Sequence, residues 1–122
     1  MQSLNISSEN FKTIDWDVDC YKYCSFSGIS PEGLHITSDF TDCSFSNIDW
    51  YWGIFNIVNF VSCKFKNCVF RGTTFANCKF VECTFDDCRF IKDNLNGDCE
   101  FKESVSYNCC LNNCDGFKAE IK

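Results

Sequence analysis

Proline occurs once in these 122 residues, at Pro31, and histidine once, at His35. With six glycines the chain is poor in breakers, which excludes collagen-like and low-complexity chains. A lone histidine beside that proline reads as a surface residue and leaves acid–base chemistry without its usual group. Bases are short too: eleven against seventeen acids, a net charge of −6. No basic stripe is present to neutralise phosphates, so direct DNA or RNA binding is disfavoured. No apolar run approaches bilayer length and no signal-peptide pattern opens the chain, so no membrane contact is expected. There is no glycine-rich phosphate loop and no Ser/His/Asp arrangement. The chain is not expected to be an enzyme, and no catalytic residue, cofactor or metal is assigned.

What is abundant is phenylalanine, fourteen residues, and cysteine, twelve. Phe40, Phe45, Trp50, Phe55, Phe60, Phe65, Phe70, Phe75, Phe80, Phe85 and Phe90 stand at every fifth place, and Leu95 continues the run. Five is the period of neither a helix nor an ordinary strand, so one structural unit is five residues long. Two places before each ring sits a smaller residue: Ser38, Cys43, Ile48, Gly53, Val58, Cys63, Cys68, Thr73, Cys78, Cys83, Cys88. The other three places carry the charges, among them Lys64, Lys66, Arg71, Lys79, Glu82, Asp86, Asp87 and Arg89. Each unit therefore points one small and one large side chain inward. Paired acids such as Asp86 and Asp87 are solvated carboxylates on this pattern.

The stretches CKFKN, CVFRG, CKFVE and CTFDD resemble the pentapeptide-repeat family, with its large apolar centre and a small residue two places earlier. The resemblance implies an all-β fold, a right-handed quadrilateral parallel β-helix with four units per coil and about six coils. On that plan Phe40, Phe60 and Phe80 stack on one side and Phe45, Phe65 and Phe85 on the next. Trp50, Phe70 and Phe90 form a third column, and Phe55, Phe75 and Leu95 the fourth.

Residues 1–122 are expected to be a single domain. Ile6, Phe11, Trp16, Tyr21 and Phe26 keep the spacing but are displaced by one in frame. The segment 27–38 holds the proline and two glycines, and reads as an irregular loop or as a four-residue insertion. Repeats 96–122 look degenerate: Cys99 goes with Phe101, Cys109 with Leu111, and Cys114 with Gly116 beside Phe117. Six coils at about 4.8 Å per strand make a rod roughly 30 Å long, with open strand edges at its ends. Pairing of those edges in a homodimer stays open.

Ten cysteines, all but Cys20 and Cys110, fall at the inward small place. Stacked neighbours such as Cys43, Cys63 and Cys83 would be about 4.8 Å apart with parallel side-chain vectors, which suits disulfide geometry poorly. They read as small buried hydrophobes in a reducing compartment, hence the cytoplasm. A metal or redox role for Cys109, Cys110 and Cys114 stays open, although the CxxC spacing of zinc knuckles is missing.

Function must then lie on the outer walls. Residues 1–61 carry eight acids against Lys12 and Lys22, whereas 62–122 carry nine of each sign. Asp15, Asp17 and Asp19 flank Trp16. They read either as a solubilising surface or as a steering site for a basic partner. Tyr51, Trp52, Ile54 and Ile57 are apolar where other units are polar, either as an interface or as a patch covered by the segment near Pro31. The family includes DNA-mimicking topoisomerase (gyrase) protectors and small proteins encoded beside toxins. The preferred expectation is a non-enzymatic inhibitor. It would be an immunity protein, or antitoxin, that neutralises a cognate bacterial toxin, plausibly a nuclease. Asp15, Asp17 and Asp19 would steer the encounter, while Tyr51, Trp52, Ile54 and Ile57 anchor it. The DNA-mimic alternative suits the acidity but not the short rod or its neutral second half.

Overall fold

The structure, a computed structural model, describes residues 2–122. The five-residue unit turns a corner because the second residue after each ring has a left-handed backbone. Asp42, Asn47, Asn67, Asn77 and Asp87 have φ between 51° and 54°, a region that aspartate and asparagine tolerate better than most residues. Each corner amide donates to a carbonyl of the following turn, as from Asp42 to Val61 at 2.9 Å and from Asn67 to Asp86 at 2.9 Å. The amide before each ring donates to the preceding turn, as from Lys64 to Cys43 at 3.0 Å. These bonds stack the units into a four-walled parallel β-solenoid.

Wall 1 is made of Asn5–Ile6, Ser25–Ser27, Ser44–Ser46, Lys64–Lys66, Thr84–Asp86 and Cys110–Asn112. Wall 2 has Asp49–Tyr51, Val69–Arg71 and Arg89–Ile91. Wall 3 has His35–Ile36, Ile54–Asn56, Thr74–Ala76 and Glu100–Lys102. Wall 4 has Cys20–Lys22, Asp39–Thr41, Asn59–Val61, Lys79–Val81, Val105–Tyr107 and Glu120–Ile121. Walls 1 and 4 thus reach six rungs, but only about four turns close on all sides, fewer than the six coils expected. At the first turn a short 3-10 helix, Phe11–Thr13, stands where a wall 2 strand would be.

The rings fill the bore in columns. Phe45 lies over Phe65 and Phe65 over Phe85 at centroid distances of 4.8 and 4.6 Å, with nearly parallel planes. Phe60–Phe80 and Phe70–Phe90 repeat this at 4.9 and 4.7 Å. Around each turn, neighbouring columns meet edge to face, as at Phe60–Phe65 and Phe75–Phe80. Both arrangements suit the ring quadrupole and add to the burial of each ring.

Two frame slips differ from the sequence expectation. Residues 27–38 do not bulge. Pro31 and Ile36 are buried in the bore, and His35–Ile36 pairs with Ile54–Phe55. Gly28 and Gly33, with φ of 65° and 67°, occupy corners rather than a loop. The slip is a single omitted residue, because Ile36 to Phe40 spans four positions instead of five. Leu95 does not continue the fourth column either. The chain leaves the wall at Lys92, Leu95 is exposed, and Phe101 takes the place over Phe75 at 4.9 Å.

Both ends are stoppered by rings. Phe117 lies 4.8 to 5.5 Å from Phe80, Phe85, Phe90 and Phe101, one ring from each column. At the other end Trp16 packs on Phe26 at 5.7 Å and reaches Trp50 at 6.2 Å, past the small ring of Pro31.

The inward cysteines add a second, regular contact. The thiols of Cys43, Cys63, Cys68, Cys78, Cys83 and Cys88 each donate to the carbonyl of a ring residue one turn earlier, at 3.2 to 3.5 Å. Burial pushes the Cys78 thiol up to about 11, so it stays protonated and unreactive at neutral pH. Cys109 and Cys114 point the same way, toward Phe80 and Phe85, whereas Cys110 is exposed. Among the described residues no group of three or more His, Cys, Asp or Glu side chains could hold a metal ion.

Because the Phe65 ring packs against Phe45, Phe60, Phe70 and Phe85, Phe65→Ala is expected to cost about 3–5 kcal/mol of stability, measured by urea unfolding. A loss under about 1 kcal/mol would contradict the column packing.

Candidate protein-binding surface

Wall 3 and its two corners carry six of the seven residues marked from the sequence, and Tyr51 ends the wall 2 strand next to the corner at Trp52. Along this wall the outward side chains run from Asp15 and Asp17 in the first turn to His35 and Thr37, then Ile54 and Asn56, Thr74 and Ala76, and Glu100 and Lys102. The register fixes this order: His35 pairs with Ile54, Ile54 with Thr74, and Thr74 with Glu100. The first turn joins through Thr37, whose amide donates to the Trp16 carbonyl and whose hydroxyl donates to Asp17 Oδ1 at 2.8 Å. Asp19 sits at the corner between walls 3 and 4, and Ile57 two turns further along the same corner.

Asp15, Asp17 and Asp19 are exposed. Asp15 Oδ1 accepts from the Asp17 amide at 2.9 Å, and the buried Tyr21 hydroxyl donates to the Asp15 carbonyl, which holds this rung in place. Burial pushes the Tyr21 phenol up to about 12, with the Asp15 charge adding to it, so it remains a donor at neutral pH. Asp49, by contrast, is neutralised by Arg71 at 3.0 Å.

Tyr51 and Trp52 have a more specific task than the sequence suggested. Their rings meet edge to face at 4.3 Å, and both hold the Lys92–Asp98 loop. The Trp52 indole N–H donates to Asp93 Oδ2 at 2.7 Å, and the Asn94 amide donates to the Tyr51 hydroxyl oxygen at 2.8 Å. Asp93 Oδ1 accepts from the amides of Leu95 and Gly97 at 2.8 and 2.9 Å. Asp93 also sits directly over Gly72, where a Cβ would collide with the carboxylate. The patch is therefore partly covered, by this loop and not by the segment near Pro31. The latter lies beside it in the wall, with Glu32 bridged to Tyr51. Asp93 and Gly72 were missed; the turn-forming run Asp93, Asn94, Asn96 and Gly97 was the available signal.

The family is decided by the repeat. A model described as "Pentapeptide repeats (9 copies)" matches residues 56–105, a span of the same units that build the walls. Over these residues the chain carries pentapeptide repeats. No curated protein matches its sequence. Among solved structures, it is similar to a trypsin-treated form of QnrB1, a plasmid-mediated fluoroquinolone resistance protein. The two are 10% identical, with a TM-score of 0.22, over 100% of this chain and 89% of that one. A TM-score of that size carries no argument about function. No helix among the described residues is long and apolar enough to cross a membrane.

Within this rod, Ile54 is 45% and Ile57 65% exposed. Ile57 also sits at a corner, with φ of 55°, where a branched Cβ crowds the backbone. Strain of this kind costs on the order of 1–3 kcal/mol, and it is a reason to look for a role outside the fold.

Two tests follow from this geometry. Replacing Ile57 by Asn is expected to raise stability by about 1 kcal/mol through relief of the corner, read as a higher melting temperature. The hydrogen bonds from Gly97, Leu95 and Trp52 hold the Asp93 carboxyl below its usual 3.8. Its contribution to the loop is thus complete above pH 3.8 and fades as pH falls through the lower, folded value. The Trp52 indole N–H resonance should shift over that acid range, and the shift should vanish in Asp93→Asn.

Proposed function

We propose that this chain is a non-enzymatic binding protein that presents wall 3 and its corners to a protein partner. The observation that carries the reading is the shared wall: an acidic rung and two exposed isoleucines, one of them at a strained corner, stand on one rigid face. Acidic groups at one end favour a basic partner and speed the encounter. Apolar groups beside them supply contact area that excludes water.

A basic enzyme that handles nucleic acid fits this chemistry, since its cleft is built to receive negative charge. In the finer reading the partner is a bacterial toxin, plausibly a nuclease, and the chain is its cytoplasmic immunity protein. Rigid walls suit stoichiometric inhibition, because little side-chain or loop order is lost on binding.

The test is co-expression with a toxin domain encoded next to this gene, followed by binding kinetics with the purified pair. Protection of the cell is expected. The triple change of Asp15, Asp17 and Asp19 to Asn should slow association about tenfold at low salt and far less at high salt. Trp52→Ala should raise Kd by about tenfold or more. Unprotected cells, or association indifferent to both the acids and salt, would overturn the reading; gyrase protection in a supercoiling assay would favour the DNA-mimic reading in its place.

A further inference from the structure

We propose that the Lys92–Asp98 loop is a preformed recognition finger whose tip, Leu95, enters an apolar pocket on a protein partner, with Trp52, Tyr51 and Asp93 as positioning residues. This rests on the reading that wall 3 and its corners meet a protein, and it names the anchor.

The fold does not require the loop. Phe90 to Phe101 spans eleven positions where five complete a side, and Phe101 already closes the column over Phe75. The surplus chain instead turns outward at the corner between walls 2 and 3 and folds back toward Trp52, two turns away. Its one aliphatic tip residue, Leu95, is 79% exposed, although a leucine gains by being buried.

The loop is held at both ends and in the middle. The Asp93 amide donates to the Gly97 carbonyl at 2.9 Å, closing the turn. The Asp93 carboxylate takes the Leu95 and Gly97 amides on one oxygen and the Trp52 indole on the other. The Tyr51 hydroxyl takes the Asn94 amide. A tip fixed this way has little backbone freedom left to lose, so contact made by Leu95 is not offset by loop ordering.

The surroundings choose the occupant. Asn94 and Asn96 flank Leu95 and are exposed, giving an apolar knob within a collar of amides, which matches a pocket with a hydrogen-bonding rim. Lys92 is 3.9 Å from Asp98, so the loop offers no excess of cations to a phosphate backbone or an anionic membrane.

The full chain would carry a photo-crosslinking diazirine residue at position 95, and in parallel at position 54, and be irradiated in lysate of the producing cells. One discrete protein adduct is expected from position 95, suppressed by excess wild-type chain but not by excess Leu95→Asn. Adding Trp52→Phe, which keeps a ring but removes the donor, should cut that adduct about tenfold while the adduct from position 54 persists. A melting temperature within about two degrees of wild type would show that the rod is intact. Equal yield at position 95 with and without Trp52→Phe would overturn the proposal. So would suppression by Leu95→Asn, or an adduct to lipid, nucleic acid or a second copy of this chain. An adduct from position 54 and none from 95 would overturn the finger and leave the wall reading standing. Adducts from neither would overturn both.

Discussion

Stacked aromatic rings inside the tube set the terms for everything else in this protein. A ring at every fifth residue can lie over its counterpart one turn away only if successive strands stay in register at their hydrogen-bonding distance. The centroid separations of 4.6 to 4.9 Å at Phe65–Phe85, Phe45–Phe65, Phe55–Phe75 and Phe60–Phe80 are that distance. Ring stacking and backbone pairing therefore favour the same spacing, and each reinforces the other. The corners follow: with two of five residues committed inward, the chain must turn within the remaining three. It does so through a left-handed residue, which is why asparagine and aspartate recur there.

The outer walls are free of that constraint, and so the departures on them carry information. Ile57 keeps a branched side chain where the backbone disfavours it. Trp52 occupies a similar corner, with φ of 57°, and uses its indole to hold a loop that the column of rings does not need. Both departures border wall 3, and so does the acidic rung at the start of the rod. A fold of this kind decides neither partner nor chemistry by itself, so the proposed binding role rests on this one wall being singled out in three ways.

The period of five and the inward alternation of Cys and Phe were legible because they are strict and local: Phe45, Phe65 and Phe85 stack as the spacing implied. Where the frame slipped, sequence reasoning failed for definable reasons. Gly28, Pro31 and Gly33 look like a loop by composition, yet two fill corners and one fills the bore. Leu95 has the right spacing to follow Phe90, but spacing cannot reveal that a carboxylate two residues earlier folds the chain away. Phe117 was noticed only as a neighbour of Gly116, because a plug on the tube axis belongs to no single column. The apolar character of Tyr51 and Trp52 was visible, while their polar atoms, which do the holding, find partners more than forty residues away.

The residue omitted before Phe40 and the surplus after Phe90 offset one another, so the first and last units share a frame that the middle turns do not. Every turn between those two slips begins and ends on the same phase and buries the same kinds of side chain. Unequal recombination could add or drop one such turn without altering either stopper. Rod length is then the property that gene duplication can adjust most freely, and the spacing between the acidic end and the clamped loop would lengthen or shorten with it in whole-rung steps.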